Sequence, residues 1–410
     1  MRRRGALRAL WAWMAAAAGV QGCGGGGGFT LAEVGSGGTG ISPGVGSGGT
    51  GVVVSGSGAG PIEGFGSIIV NGTRWTIDGA RLDVADIPEL RLGATVQVDG
   101  VLSPDGTEGT ASLVRSSADL RGPVASLDGN GASFAILGVT VLVHGDTVFA
   151  GGLRSAADLR VGDPLQVHGL PGAGGVLQAT RVEKLAVPGT PVLVGIVQGL
   201  DALTQTFLLG TERVRYAGAS FTGGWTTALQ AGQAVRVRAG ADGLLLQASE
   251  VEPWYSAPQA MPEGTVLTLG GVVSDPSGPA SFRIDGVAVD ATGAKVSGGP
   301  AAAVREGARV DVTGVLREGV LAASRIRIRR GAGADDTADL AAEATAFSAR
   351  GSVGAYRSPA SFKVQGQSID ASGAVFANGT AADLAPGRKV TVTGSRVVDD
   401  VLVAERVAFD

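Results

Sequence analysis

Cysteine occurs once in 410 residues, at position 23, so the chain can form neither an internal disulfide nor a thiolate zinc site. Histidine occurs only at 144 and 168, and aromatics make up 5% of the chain. No apolar run reaches the roughly 18 residues of a membrane-spanning helix. The sequence also lacks a serine-hydrolase elbow, an HExxH pair, a Walker loop and a dinucleotide fingerprint. With no cofactor motif and no recurring carboxylate pair, the reading is non-catalytic. An enzyme or metal-binding protein with a site near 144 and 168 is the third alternative.

Glycine is abundant instead, with 70 residues against 17 prolines, a mixture that suits short strands and tight turns. Arg2, Arg3, Arg4 and Arg8 precede an apolar run from Ala9 to Val20, the pattern of an export signal. Removing these four arginines leaves 29 basic against 37 acidic residues, a balance of −8 that makes nucleic acid a poor partner. The run ends in Val20-Gln21-Gly22-Cys23, which resembles the lipobox of bacterial lipoproteins, with Gln21 where that family usually has Ala or Ser. The resemblance implies cleavage after residue 22 and lipidation of Cys23 with fatty-acyl chains such as palmitate. Gly24, in place of the Asp that retains enteric lipoproteins at the inner membrane, implies an outer-membrane anchor facing the periplasm, with surface exposure as the alternative.

Residues 23–59 read as a flexible Gly/Ser-rich tether in which the heptapeptide VGSGGTG occurs twice. As a coil, such a tether spans roughly 35 Å. Beyond it the pattern L-x-x-G-x-x-V-x-V-x-G recurs five times, around Gly93, Gly162, Gly232, Gly307 and Gly387. Each copy is preceded by a small hydroxyl residue and Phe or Ile, such as Ser281-Phe282, and by a glycine at 60, 122, 195, 271 or 351. The pairs Val96/Val98, Leu165/Val167, Val235/Val237, Val310/Val312 and Val390/Val392 alternate with polar residues. That alternation predicts strands with one buried and one wet face.

A short helix-compatible stretch ending in a left-handed glycine precedes each pair. The order of elements predicts an all-β chain of five tandem small OB-like barrels, each of about five strands plus a helical turn. The expected boundaries are signal peptide 1–22, tether 23–59, modules 60–119, 120–187, 191–254 and 264–330, an acidic, alanine-rich linker 331–345, and a last module 346–410. The lipobox, the Gly-rich tract, GFGSIIVNG at 64–72 and the repeated units resemble the proteobacterial lipoproteins built from tandem copies of domain of unknown function 5666. By that pattern the first module is the closest copy and the third the weakest. The resemblance implies an OB-like repeat protein of the cell envelope and carries no activity.

Three groups stand out as candidate sites. Arg325, Arg327 and Arg329 alternate with Ile326 and Ile328, a basic ridge that could hold an anionic glycan, or simply the wet face of a strand. Trp225 and the pair Trp254-Tyr255 are read as exposed contacts for a sugar or protein. His144 and His168, with Asp146 and Asp163, are weak metal candidates, set against solvated residues at strand ends. Asp128-Gly129 predicts a hairpin turn rather than a calcium loop. The functional expectation is a lipid-anchored set of binding modules for an envelope protein or anionic polysaccharide; the alternative is a structural spacer.

Overall fold

The computed structural model describes residues 53–87, 89–223, 225, 228–242, 245–255, 261–329 and 347–410. The signal peptide, Cys23, residues 23–52 of the tether and the linker at 331–345 lie outside them. The first strand, Val54–Phe65, begins inside the segment expected to be tether.

In the first repeat, Val54–Phe65 pairs with Ile68–Val70, which pairs with Thr73–Thr76. Thr73–Thr76 runs parallel to Glu108–Ser116, which returns antiparallel to Thr95–Leu102, and that strand pairs back with Val54–Phe65. The result is a closed ring of five strands. The later repeats follow the same succession of strands, and the first strand of the third is broken into Val192–Ile196 and Gln198–Asp201. The expected helical turns are single 3₁₀ turns such as Ala156–Asp158 and Ala381–Asp383, the latter held by a capping box between Thr380 and Asp383. The glycines that follow, Gly93, Gly162, Gly232, Gly307 and Gly387, all take left-handed φ values between 77° and 90°.

The repeats do not stand alone, and the expectation of five separate OB-like barrels is corrected. All 33 strands among the described residues belong to one hydrogen-bonded network, a continuous solenoid-like β assembly in which the five-strand ring is embedded. Gly56–Ala59 of the first repeat pairs in parallel with Val266–Leu269 of the fourth. Gly64 and Phe65 pair with Ser348 and Ala349 of the fifth, Phe149 with Val398, and Val192 with Arg121. The apolar residues pool in the same way. Val96 and Val98 share one core with Val390 and Val392, and Leu165 and Val167 share another with Val235 and Val237.

The physical reason lies in the supposedly wet strand faces. The valine pairs are fully buried as expected, but their polar neighbours Gln97, Gln166, His168, Arg236, Arg309 and Asp311 are buried too. They face another repeat instead of water. In the fifth repeat that face is the more open, with Lys389 exposed and Thr391 and Thr393 half-buried.

Candidate functional site

The polar faces meet at junctions built from side chains of several repeats. At the centre of one, Asp119 is wholly shielded from solvent. Its Oδ1 accepts from Arg236 Nη2 at 2.9 Å and from Trp254 Nε1 at 2.7 Å. Its Oδ2 accepts from Thr95 Oγ1 at 2.5 Å and from the Gly169 amide at 3.0 Å. A carboxylate so enclosed is stable only because four donors, one of them a guanidinium, converge on it. Arg236 also reaches Glu252 at 2.9 Å, so its charge is doubly matched.

His168 lies beside this node, its Nδ1 3.0 Å from Thr95 Oγ1. Burial holds the ring down at about 4, with Arg181 and Arg236 adding to the effect and Asp119 opposing it. Hydroxyl, imidazole and carboxylate are the ingredients of a nucleophilic triad. Here all three are buried, and the Thr95 hydroxyl donates its hydrogen bond to Asp119, so the cluster ties the repeats together.

Further fastenings surround it. Asp86 of the first repeat joins Arg121 of the second at 2.7 Å and Arg238 of the third at 2.8 Å. Burial pushes the Asp86 carboxyl up, but the hydrogen bonds from Arg238 and Arg121 outweigh it and hold the group well below the usual carboxylate range. Arg309 meets Asp146 at 2.7 Å and Arg181 meets Asp400 at 2.6 Å, each pair joining two repeats.

The basic ridge belongs to this set. Arg329 is buried and bonds Glu63 of the first repeat and Asp311 of its own, and Arg327 reaches the same two carboxylates at 2.7 Å and 2.6 Å. Arg325 donates to the Asp105 carbonyl at 2.7 Å. The ridge is therefore engaged within the protein, not presented as three open guanidiniums. Trp254 and Tyr255, expected exposed, are 5% and 7% accessible and belong to a small core between repeats. Trp225 is half-buried, its indole donating to the Val251 carbonyl at 3.2 Å.

The two histidines, expected to be solvated, are both buried. Burial, with Arg309 adding to it, likewise holds His144 down at about 4, against the pull of Asp146. Asp146 is bound to Arg309 and Asp163 to Lys184, each at 2.7 Å, so both carboxylates of the metal reading are engaged by cations. Among the described residues no three His, Cys, Asp or Glu side chains gather as a metal site would require. Asp128 begins the hairpin turn read from the sequence, its amide donating to the Ser133 carbonyl at 3.0 Å.

Asp119 and Asp86 were not legible as functional or structural centres. Both lie in short connections between strands, and nothing in the repeat pattern singles them out.

Comparison with known families finds three segments, residues 121–183, 270–327 and 350–408, that match the family described as Domain of unknown function (DUF5666). The chain thus carries three such domains, which are its second, fourth and fifth repeats. The first repeat, expected to be the closest copy, is not among these segments. No curated protein matches the chain.

Proposed function

We propose that this chain is a structural, non-catalytic element of the bacterial cell envelope, held to the membrane through a lipidated Cys23, in which the repeats act as one body. The observation that carries this reading is the destination of the charged side chains. Residues that an array of independent binding modules would turn outward are used to join repeat to repeat, as with Arg329 to Glu63 and Arg236 to Asp119. A buried ion pair contributes more to a unique arrangement of its elements than to net stability, and a spacer needs the former. Engagement of Arg327 and Arg329 also removes the main feature that favoured an anionic glycan.

Equilibrium urea unfolding of the protein tests this, followed by far-UV circular dichroism and by tryptophan fluorescence. One body predicts a single transition at the same midpoint by both probes. Two or more separated transitions, or saturable and salt-sensitive retention on lipopolysaccharide or peptidoglycan, would favour independent binding modules.

A further inference from the structure

In each repeat a two-residue turn joins the second and third strands, and in the first, second, fourth and fifth its first residue takes a left-handed conformation and lies over a glycine of the first strand. In the first repeat this residue is Asn71, whose Nδ2 donates to the carbonyls of Ala59 at 2.7 Å and Thr268 at 2.8 Å. The second repeat has Leu137 over Gly122 and the fifth has Gln365 over Gly351. In the fourth it is Asp285, at φ 51°, whose Oδ2 lies 2.9 Å from where a Cβ on Gly271 would stand. A neutral side chain fills the position in three repeats. A carboxylate is the exception.

Asp285 has no hydrogen bond or ion pair among the described residues, and its Oδ1 is closed off from water. The nearby Arg283 turns its guanidinium to the Gly286 carbonyl at 2.7 Å. Burial, with the negative charge of Asp119 behind it, pushes the Asp285 carboxyl well above the usual range. Asp285 is half-buried, and a carboxylate with one oxygen closed off and no counter-ion carries a cost that asparagine, of the same shape, would avoid.

Asp285 lines a crevice of about 760 Å³ between the third and fourth repeats, together with Gln198, Trp254, Tyr255 and Val287. That volume suits a small molecule. The Trp254 and Tyr255 rings pack 4.8 Å apart, and Arg236 already stands over the Tyr255 ring at 5.1 Å, its charge matched by Asp119 and Glu252. Trp254 and Tyr255, 5% and 7% exposed, edge the same crevice as the unpartnered carboxyl, a combination that favours a soft organic cation whose charge draws that carboxyl into its ionised form. A hard metal ion would want several oxygens around it, and no such group of ligands gathers here among the described residues.

We infer that this crevice binds a small organic cation, an alkyl- or quaternary ammonium group, with Asp285 as its counter-ion and the Trp254–Tyr255 pair as its apolar wall. The site goes beyond the structural reading above and does not depend on it.

The test titrates the full chain, labelled with ¹⁵N at tryptophan, with tetramethylammonium and in parallel with neutral tert-butanol. The Trp254 indole resonance reports the crevice, because its Nε1–H is fixed on Asp119. The expected result is a saturable shift with the ammonium ion, none with the alcohol, and at least a tenfold weaker affinity in Asp285→Asn. Asp285→Gln, which installs the residue type of position 365, is expected to behave the same way. Absence of a saturable shift, an equal response to tert-butanol, or unchanged affinity in a folded variant overturns the inference. Should both variants fail to fold, the comparison of the two probes on the unaltered chain decides it.

Discussion

Arg236 of the third repeat closes on Asp119, at the join of the first and second, at 2.9 Å, with 3% and 0% of the two side chains left to solvent. Because Asp119 also accepts hydrogen bonds from Trp254, Thr95 and Gly169, removing it strands several donors at once. Asp119→Ala is therefore expected to lower stability by about 3–5 kcal/mol, the range for breaking a buried pair from one side. Arg236→Met leaves Asp119 buried with three hydrogen bonds but without its counter-ion and is expected to cost about 3 kcal/mol, the low end of that range. Urea unfolding of the two variants checks both; losses well below that range would mean that the node is held by packing and not by charge.

The two buried histidines set the response to acid. His168 and His144 have folded values lowered to about 4, against 6.5 for a free ring. Between those limits the unfolded chain binds protons that the folded chain refuses, so stability present above pH 6.5 is lost as pH falls toward 4. Each ring contributes on the order of 3 kcal/mol to that loss. His168→Gln is expected to flatten the pH dependence of the midpoint in this window, read from urea melts at pH 7, 6, 5 and 4. An unchanged slope would mean that the ring is already charged in the fold.

The strand periodicity and the left-handed glycines were legible in the sequence because both are local properties of the backbone. Val235 and Val237 alternate with Arg236 and Arg238, and the alternation correctly separates two faces. It says nothing of what covers the second face. In VRVRA the arginines look like a solvated edge, yet Arg236 reaches Asp119 across 117 residues of chain and Arg238 reaches Asp86 across 152. Such pairings depend on how the repeats meet, which no periodicity within one repeat encodes. The same gap explains Trp254 and Tyr255, whose position between modules suggested exposure although the neighbouring repeats enclose them.

The arginines of the former ridge separate by burial. Arg329→Ser leaves Glu63 and Asp311 short of their buried partner and is expected to destabilise by about 3 kcal/mol or more. Arg325→Ser removes a contact to an exposed loop carbonyl and is expected to stay within about 0.5 kcal/mol of the parent. Thermal melts of the two variants give the comparison. Similar shifts would place the ridge outside the junction.

Lipidation is tested at its own residue. Cys23→Ser is expected to move the protein from the detergent phase to the aqueous phase in a Triton X-114 partition and to abolish incorporation of radiolabelled palmitate, because acyl chains supply the membrane affinity. Retention of label in the serine variant would refute an anchor at Cys23.

The parallel ladder between Gly56–Ala59 and Val266–Leu269 joins stretches of chain roughly two hundred residues apart. An amino-terminal repeat emerging first from a ribosome or a translocation pore has an unpaired sheet edge until its fourth companion arrives. Exposed edges of this kind invite aggregation. The architecture thus makes completion of this amino-terminal sheet edge wait until the distal half of the chain is available.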